Sequence, residues 1–327
     1  MRPALPVLAA ALGLALLRPA AAEAPAVVAS IPPVHSLVAA VMAGAGTPDL
    51  LIPGAVSEHT YTLKPSDARL LDRATVVFWV GPPIEGYLAK PLAALAGRAR
   101  VVELLEAEGV ERLPARSGGV WEEHAHDDHH DHDHGEAAGK RDDHDDHDDD
   151  HAGHDAAVDG HVWLSPLNAR AIARAAAATL GAADPANAAR YAANLAALES
   201  RLAALDEELK ATTAPVRGLP FIVFHDAYQY LEQAYGLASA GSITVSAERK
   251  PGARRLAELR AKVREAGARC IFAEPQFPST LVRTVAEGTG ARTASLDQLG
   301  AGIAPGPDLY FVMMRRLAGD LAGCLRG

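Results

Sequence analysis

Short apolar runs alternate with helical patterns along the first part of the chain. The runs are rich in β-branched residues and show no regular polar alternation, which is typical of strands covered on both faces. Helical patterns between the runs predict βαβ units and a parallel sheet. The predicted strands are 27–31, 50–52, 75–80 and 100–104, and the predicted helices are 35–43, 65–72 and 85–95.

The same alternation returns in the last third of the chain, after Pro215. A second set of βα units there predicts a second lobe with its own parallel sheet. The predicted strands are 221–224, 270–273 and 291–296, and the predicted helices are 228–235, 252–266, 280–289 and 310–325.

One long helix is predicted between the two halves. Asp184 and Pro185 supply its cap and first turn. Its apolar side chains recur every three or four residues and form one stripe. A helix of about 28 residues is about 40 Å long, so we interpret it as a rigid connector between the lobes. The stripe consists of Tyr191, Leu195, Leu198, Leu202, Leu205 and Leu209.

These patterns predict an α/β protein with two βα lobes that contain parallel-type sheets and are joined by one long rigid helix. The composition, 49% hydrophobic and 22% charged over 327 residues, is that of a globular protein with room for two domains. The predicted boundaries are a signal peptide at 1–22, an N-terminal lobe at 23–182, a linking helix at 183–213 and a C-terminal lobe at 214–327.

Residues 1–22 have the three parts of a secretory signal peptide. Arg2 is basic, residues 5–17 are apolar but short for a bilayer span, and residues 20–22 are alanines. A buried N-terminal helix is the alternative. No cysteine follows the apolar run, so we predict export to the periplasm without a lipid anchor.

Residues 122–155 interrupt the pattern. They hold ten of the 14 histidines and fifteen acidic residues against two basic ones, a net charge of −13. Since the whole chain carries −10, the remainder is near +3. Without apolar periodicity this segment predicts a disordered loop in the N-terminal lobe. No basic stripe points to a nucleic acid partner.

The histidines of this loop offer metal donors without a fixed geometry. We expect them to form accessory, exchangeable metal sites, and the alternative is a solvated polyanion with incidental affinity. These residues are His124, His126, His129, His130, His132, His134, His144, His147, His151 and His154.

Three histidines outside the loop suit a metal site. His59 lies beyond a predicted strand, His225 ends a strand of the second lobe, and His161 opens the ordered sequence after the loop. Ligands of open α/β sheets gather at the carboxyl ends of strands. Three imidazole nitrogens and one oxygen make a tetrahedral Zn²⁺ shell. Each histidine alone is consistent with an ordinary core or surface position, but together they predict a metal site in the cleft between the lobes.

The fourth ligand stays open at this stage. Glu58 precedes His59, Asp297 and Glu274 follow predicted strands, and water is a further alternative.

Neighbouring residues suggest how the imidazoles are oriented. Asp159 lies near His161 and Asp226 follows His225, so either carboxylate could accept a hydrogen bond from a ligand's second nitrogen. His35, on the first predicted helix, could also approach the cleft.

Cys270 and Cys324 are the two cysteines of the chain. In an oxidising compartment an isolated pair predicts a disulfide. Closing a loop of about 54 residues stabilises a fold by about 4 kcal/mol. A metal site at the thiols is the alternative, but neither cysteine has a histidine nearby.

Five stretches along almost the whole mature chain make the sequence resemble the solute-binding proteins of zinc-uptake ABC transporters. This metal-binding class has two lobes joined by a single long helix. The stretches are 54–61, GAVSEHTY; 63–67, LKPSD; 161–166, HVWLSP; 224–228, FHDAY; and 272–277, FAEPQF.

The resemblance implies that His59, His161 and His225 are the ligands. It makes the third histidine a marker for zinc, because manganese-binding relatives tend to place a carboxylate there and Mn²⁺ prefers oxygen. It maps the family's acidic residue of the C-terminal lobe to Asp297. It also implies a disulfide between the cysteines, and a histidine-rich loop is typical of the zinc branch.

The function implied is capture of Zn²⁺ in the periplasm and delivery to an ABC membrane permease, by a monomer that is not an enzyme. A zinc-dependent hydrolase with Glu58 as general base is one alternative, although no His-Glu-x-x-His motif is present. A Mn²⁺-binding receptor or an adhesin of the same class is another.

Overall fold

The structure is a computed structural model that describes residues 24–116, 157–243 and 252–327. The predicted signal peptide at 1–22 and the loop at 122–155, with its ten histidines, lie outside the described residues. The described strands form two four-stranded parallel sheets and one two-stranded antiparallel ladder. The predicted α/β architecture, with two lobes and a long central helix, is confirmed.

The first sheet has the strand order β2-β1-β3-β4, with every pair parallel. The central strands β1 and β3 are buried along their whole length, which explains their unbroken apolar sequences. The strands are β1 at Val27–Ala29, β2 at Asp49–Leu50, β3 at Val76–Trp79 and β4 at Arg100–Glu103.

Proline begins three of the helices that surround this sheet, at a position where the missing N–H costs nothing. The helix predicted at 85–95 is divided in the structure, with a 3₁₀ turn at Gly86–Leu88 between two short helices. Glycine at the break and Pro91 inside the next turn explain the division. The helices are α1 at Pro32–Val41, α2 at Pro65–Arg73, α3 at Pro82–Glu85 and α4 at Ala89–Leu95.

A short ladder, β5 at Leu113–Pro114 and β6 at Val158–Asp159, joins the two chain ends that flank residues 117–156. A 3₁₀ turn at Val162–Leu164 follows, and then helix α5 at Pro166–Ala183. The side chain of Ser165 caps α5 by accepting a hydrogen bond from the Asn168 N–H. The sequence patterns did not predict this ladder, because its strands have only two residues each.

Helix α6 at Ala188–Thr213 is the long helix predicted at 183–213. A 3₁₀ turn at Pro185–Asn187 precedes it, and the carboxylate of Asp184 accepts a hydrogen bond from the Tyr191 hydroxyl at 2.7 Å. At 26 residues the helix is about 39 Å long. Its apolar stripe is buried except for the half-buried Leu195. The helix packs on α1, on α5 and on the last helix, α10 at Leu309–Arg326.

The second sheet has the order β10-β9-β7-β8, also fully parallel. Counted from the first strand of each sheet, this is the strand order of the first sheet. The edge strand β8 was missed, because its sequence of alanine, serine and glycine has no apolar run. The strands are β7 at Pro220–Val223, β8 at Ala238–Ser242, β9 at Cys270–Ala273 and β10 at Arg292–Ser295; the helices are α7 at Gln229–Tyr235, α8 at Ala253–Glu265, α9 at Thr280–Ala286 and α10 at Leu309–Arg326.

One hydrophobic core extends from the first sheet across α6 to the inner side of the second sheet. A smaller core lies on the outer side of the second sheet, under α8 and α9. The predicted disulfide is present, and Cys270–Cys324 ties the start of β9 to α10. No helix among the described residues is both long and apolar enough to cross a membrane.

Candidate metal centre

Four side chains converge in the cleft between the lobes. Glu58 and His59 come from the loop after β2, His161 from the segment between β6 and α5, and His225 from the residue pair that follows β7. Each offers one ligand atom, and these atoms all lie within 4.8 Å of one another. Three of these candidate ligands therefore come from the N-terminal part of the chain and one from the C-terminal part.

The three imidazole rings form a nearly equilateral triangle. Their centroids are 5.3 Å apart for His59 and His161, 5.5 Å for His59 and His225, and 5.3 Å for His161 and His225. The Nε2 atoms of His161 and His225 are 3.3 Å apart. The Glu58 Oε1 atom lies 3.8 Å from His59 Nε2 and 3.9 Å from His161 Nε2. Three nitrogens and one oxygen thus face a common point.

His161 is held by the segment that leads into it. The Asp159 carboxylate accepts hydrogen bonds from the His161 main-chain N–H at 3.0 Å and from its Nδ1 at 2.7 Å. This is the orienting contact expected from the sequence, and it leaves Nε2 to face the cluster. Gly160 is required there, because a Cβ atom would lie 2.5 Å from the Ile84 side chain. Burial raises the pKa of Asp159 to about 6, against the hydrogen bond from the His161 N–H.

His225 is oriented by a carboxylate from the neighbouring strand. Its Nδ1 lies 2.8 and 2.7 Å from the two oxygens of Glu274, which directly follows β9. Burial on its own would lower the pKa of His225, but the charge of Glu274 and its hydrogen bond raise it to about 9. Glu274, one of the candidates for the fourth ligand, therefore lies on the far side of the ring from the cluster.

Asp226 does not orient His225, contrary to the sequence-based expectation. Its carboxylate instead forms an ion pair with Arg116, which also pairs with Glu232 of α7 at 2.8 Å. Residues 224–226 form a bend after β7, and the Asp226 side chain does not follow that of His225 into the cleft. The ion pair connects the segment after β5 to the C-terminal lobe.

Glu58 is completely buried, and its main-chain carbonyl accepts a hydrogen bond from the Tyr87 hydroxyl at 2.9 Å. Burial alone would raise the pKa of Glu58, but His59, His225 and His161 lower it below the ordinary value. Its Oε2 atom has no hydrogen-bond partner among the residues described here. A buried carboxylate beside three imidazoles is a site for a cation.

His59 is the most accessible ligand candidate, with 28% of its side chain exposed, compared with 6% for His161 and 5% for His225. The His59 ring therefore marks the more open side of the cluster, although its Nε2 atom is buried, and the other two imidazoles lie deeper.

Two candidates lie outside the cluster. The Asp297 Oδ1 atom accepts hydrogen bonds from the N–H groups of Leu299 and Gly300, so this carboxylate stabilises its own turn. His35 is buried on α1, where its Nε2 lies 3.0 Å from the Pro48 carbonyl. The structure thus brings Glu58, and neither of these residues, next to the three histidines.

Sequence reasoning missed two groups beside the cluster. Gln298 is buried, with its amide 3.4 Å from Glu58, and the Trp163 ring lies 5.3 Å from the His161 ring. Trp163 lies in the 161–166 motif, HVWLSP, and its place next to His161 there could have indicated its role. Nothing in the local sequence pointed to Gln298.

Comparison with family models and curated sequences gives one consistent result. The model of the family described as "ZnuA: Zinc-uptake complex component A periplasmic" matches residues 27–324. The chain is 46% identical over 318 residues to "High-affinity zinc uptake system protein ZnuA" of Brucella abortus (strain 2308), and the match covers 93% of each chain.

Solved structures show the same fold at lower identity. One titled "Crystal structure of ZnuA" matches with a TM-score of 0.73 and 24% identity, over 93% of this chain and 100% of that one. The "periplasmic zinc binding protein TroA from Treponema pallidum" matches with a TM-score of 0.73 and 20% identity, over 92% and 99%.

Proposed function

Because this chain belongs to the family of periplasmic A components of zinc-uptake complexes, we propose that Glu58, His59, His161 and His225 bind the Zn²⁺ ion that it carries. Family membership establishes the cellular role: the chain captures zinc in the periplasm for import through an ABC-type permease. It is a binding component of a transport system and not a hydrolase. The identity of the ligands rests on the cleft geometry.

The single observation that carries the proposal is the spacing of the two buried imidazoles. Zn–N bonds of 2.0–2.1 Å at a tetrahedral angle put two nitrogens about 3.3–3.4 Å apart. The Nε2 atoms of His161 and His225 are 3.3 Å apart. A small inward movement of Glu58 Oε1, from 3.8 and 3.9 Å, completes a shell of three nitrogens and one oxygen.

The donor set also supports zinc over manganese. Mn²⁺ prefers oxygen ligands and a higher coordination number, whereas imidazole suits Zn²⁺. Three of the four side chains in the cluster are histidines, and the carboxylates of Asp159 and Glu274 contact the Nδ1 atoms on the outer side of the rings. We therefore disfavour the Mn²⁺ receptor alternative.

The cleft suits capture followed by release. His225 is the one proposed ligand from the C-terminal lobe, so separation of the lobes removes a ligand and weakens the site. His59, at the open side, exchanges most readily with water. We propose that docking on the permease separates the lobes and that the ion leaves on the side of His59.

The decisive experiment is a competition titration with a zinc chelator on the purified full chain and its His225→Ala variant. Zinc sites contribute about 10–16 kcal/mol, so one of four ligands accounts for about 3 kcal/mol, or at least a 100-fold change in affinity. We expect that loss for the tight site. His35→Gln is the matched control, because it changes a buried histidine outside the cluster, and should bind as the wild type does. Equal affinity of His225→Ala and wild type would refute the assignment.

We further propose that the ten histidines within 122–155 form weaker accessory sites. Deleting these residues is expected to lower the number of zinc ions bound while one tight site remains. Loss of the tight site on deletion would contradict this proposal.

We also propose the domain organisation and the assembly state of the chain. The signal peptide is at 1–22, and the domain boundaries are at 23–182, 183–213 and 214–327. The protein is a monomer without a nucleic acid partner. Mass measurement of the exported protein, by native mass spectrometry, tests the cleavage site and the monomer together.

A further inference from the structure

Gln298 is a buried amide that reaches across the lobe boundary to a proposed ligand. It belongs to the connection between β10 and α10 and is 0% exposed. Its Nε2 lies 3.4 Å from Glu58 Oε1, on a residue 240 positions away in the sequence. On the basis of the proposed function, we propose that Gln298 is a positioning residue that keeps Glu58 a one-oxygen ligand and thereby favours zinc.

The Gln298 side chain is aimed by a turn that is fixed at several points. The main-chain carbonyl of Gln298 accepts a hydrogen bond from the Trp163 indole N–H at 2.9 Å. The preceding residue, Asp297, accepts from the N–H groups of Leu299 at 3.2 Å and Gly300 at 2.9 Å. These hydrogen bonds fix the main chain around Gln298 and so set the point from which its side chain reaches Glu58.

The two oxygens of Glu58 have different surroundings. Gln298 donates to Oε1, and no other side chain among the described residues donates a hydrogen bond to this carboxylate. The distance of 3.4 Å is longer than in a usual N–H···O bond, so the contact is weak in the metal-free protein. Oε1 is also the oxygen that lies 3.8 and 3.9 Å from the Nε2 atoms of His59 and His161, so the contact with Gln298 fixes the carboxylate with this one oxygen toward the proposed site.

This difference bears on metal choice. One oxygen from Glu58 gives four ligands, the number that Zn²⁺ takes in closed sites. Two oxygens, or an added carboxylate, raise the oxygen content and the coordination number, which favours Mn²⁺. The Gln298 Oε1 atom has no hydrogen-bond partner in the described part of the chain. No contact there therefore favours the flipped amide, in which Oε1 instead of Nε2 would face Glu58.

The chain provides a matched control in a second glutamine of the same lobe. Gln276 donates across the cleft to the Gly54 carbonyl at 2.9 Å, and to Asp297 at 3.3 Å, without touching Glu58. Replacing it by methionine removes a hydrogen bond between the lobes. The Gln276→Met variant therefore measures the effect of weaker cleft closure alone on metal binding.

The test compares full-length wild type, Gln298→Met and Gln276→Met, each with one equivalent of Co²⁺. The visible d–d absorption of Co²⁺ is strong in four-coordinate sites and weak at higher coordination number. Subtracting the spectrum of the corresponding His225→Ala protein removes the signal of other histidines. We expect the band to weaken in Gln298→Met and to persist in Gln276→Met, and the ratio of Zn²⁺ to Mn²⁺ affinity to fall at least about tenfold in Gln298→Met alone.

The side chain in Gln298→Glu has the same shape as that of the wild type, so this variant replaces Gln298→Met in the test if the methionine variant does not fold. It adds an anionic oxygen beside Glu58, so its affinity ratio should also shift toward Mn²⁺ by at least about tenfold. An unchanged spectrum and an unchanged ratio in the Gln298 variants would overturn the inference while the metal site stands. A wild-type spectrum identical to that of His225→Ala would overturn both the inference and the proposed site.

Discussion

The two sheets have the same strand order but contribute differently to the cluster of candidate metal ligands. In the C-terminal lobe, His225 and Glu274 lie at the carboxyl ends of the adjacent strands β7 and β9. In such sheets this is the crevice where successive connections leave in opposite directions and where ligands bind. The equivalent crevice of the N-terminal lobe lies between β1 and β3 and contributes no member of the cluster.

The N-terminal crevice holds a different pair of polar groups. Ser30 follows β1, and the buried Glu85 accepts a hydrogen bond from the Val80 N–H, just after β3, at 2.8 Å. The cluster members of this lobe come instead from connections outside the sheet. Strand order therefore determines where a cleft lies, whereas the connecting segments determine which side of it supplies the candidate metal ligands.

The largest expected effect concerns the pH dependence of these two crevices in the metal-free protein. Burial raises the pKa of Glu85 to about 7, and Glu274 raises the pKa of His225 to about 9. A group whose pKa is higher in the folded than in the unfolded protein stabilises the fold at low pH, and this stabilisation is lost as the pH rises from the ordinary pKa through the raised one. For Glu85 this range is about 4.5 to 7, and for His225 it is about 6.5 to 9. At about 1.4 kcal/mol per pKa unit, we expect the free energy of unfolding to fall by several kcal/mol between about pH 5 and pH 9.

Urea unfolding with a chelator present, at several pH values, measures this change. Glu85→Gln should flatten the lower part of the profile and Glu274→Gln the upper part, which separates the two crevices. A free energy of unfolding that rises with pH over this window would contradict the prediction.

The disulfide offers a second contrast between the lobes, since it connects two elements of the C-terminal lobe alone. Replacing Cys270 and Cys324 together by serine removes a loop closure worth up to about 4 kcal/mol in the chain-entropy model. We expect lower stability in urea and an unchanged zinc affinity. The wild-type chain in reducing agent is the control, and a large loss of zinc affinity would show that the link also supports the site.

The orienting carboxylates permit a direct comparison of the two buried histidines. Glu274→Gln and Asp159→Asn each remove the charge behind one imidazole, and such changes typically cost about 10–100-fold in metal affinity. We expect the larger loss for Glu274→Gln, because both oxygens of Glu274 contact His225 whereas one oxygen of Asp159 contacts His161. Competition titrations at constant pH rank the zinc affinities of the two variants. A larger loss for Asp159→Asn would mean that His161, in the N-terminal lobe, depends more on its orienting carboxylate than His225 does.

The smallest effect is expected at the ion pair between the lobes. Arg116→Met removes the partner of Asp226 and Glu232, whose side chains are 13% and 9% exposed. Partly buried pairs lie between surface and interior ones, so we expect a loss of about 1 kcal/mol in unfolding free energy. Arg174→Met, which breaks an exposed pair with Glu199, is the control and should cost less. Equal losses would mean that the lobes are joined mainly by the core around α6.

The sequence by itself determined the α/β class, the two sets of strands and the long helix, because apolar periodicity is a local property. It also singled out His59, His161 and His225, since they stand in short motifs at the ends of elements. Elements without an apolar signal escaped, such as β8 and the β5–β6 ladder.

Only the tertiary structure decided how the candidate site is completed. It placed Glu58 beside the histidines and used Asp297 for a turn, and it paired His225 with Glu274, 49 residues away, instead of the adjacent Asp226. The physical reason is that side-chain direction depends on how strands and connections from distant segments pack together. Chain proximity does not encode that direction, so these contacts, and that of Gln298 with Glu58, exist only in the folded protein.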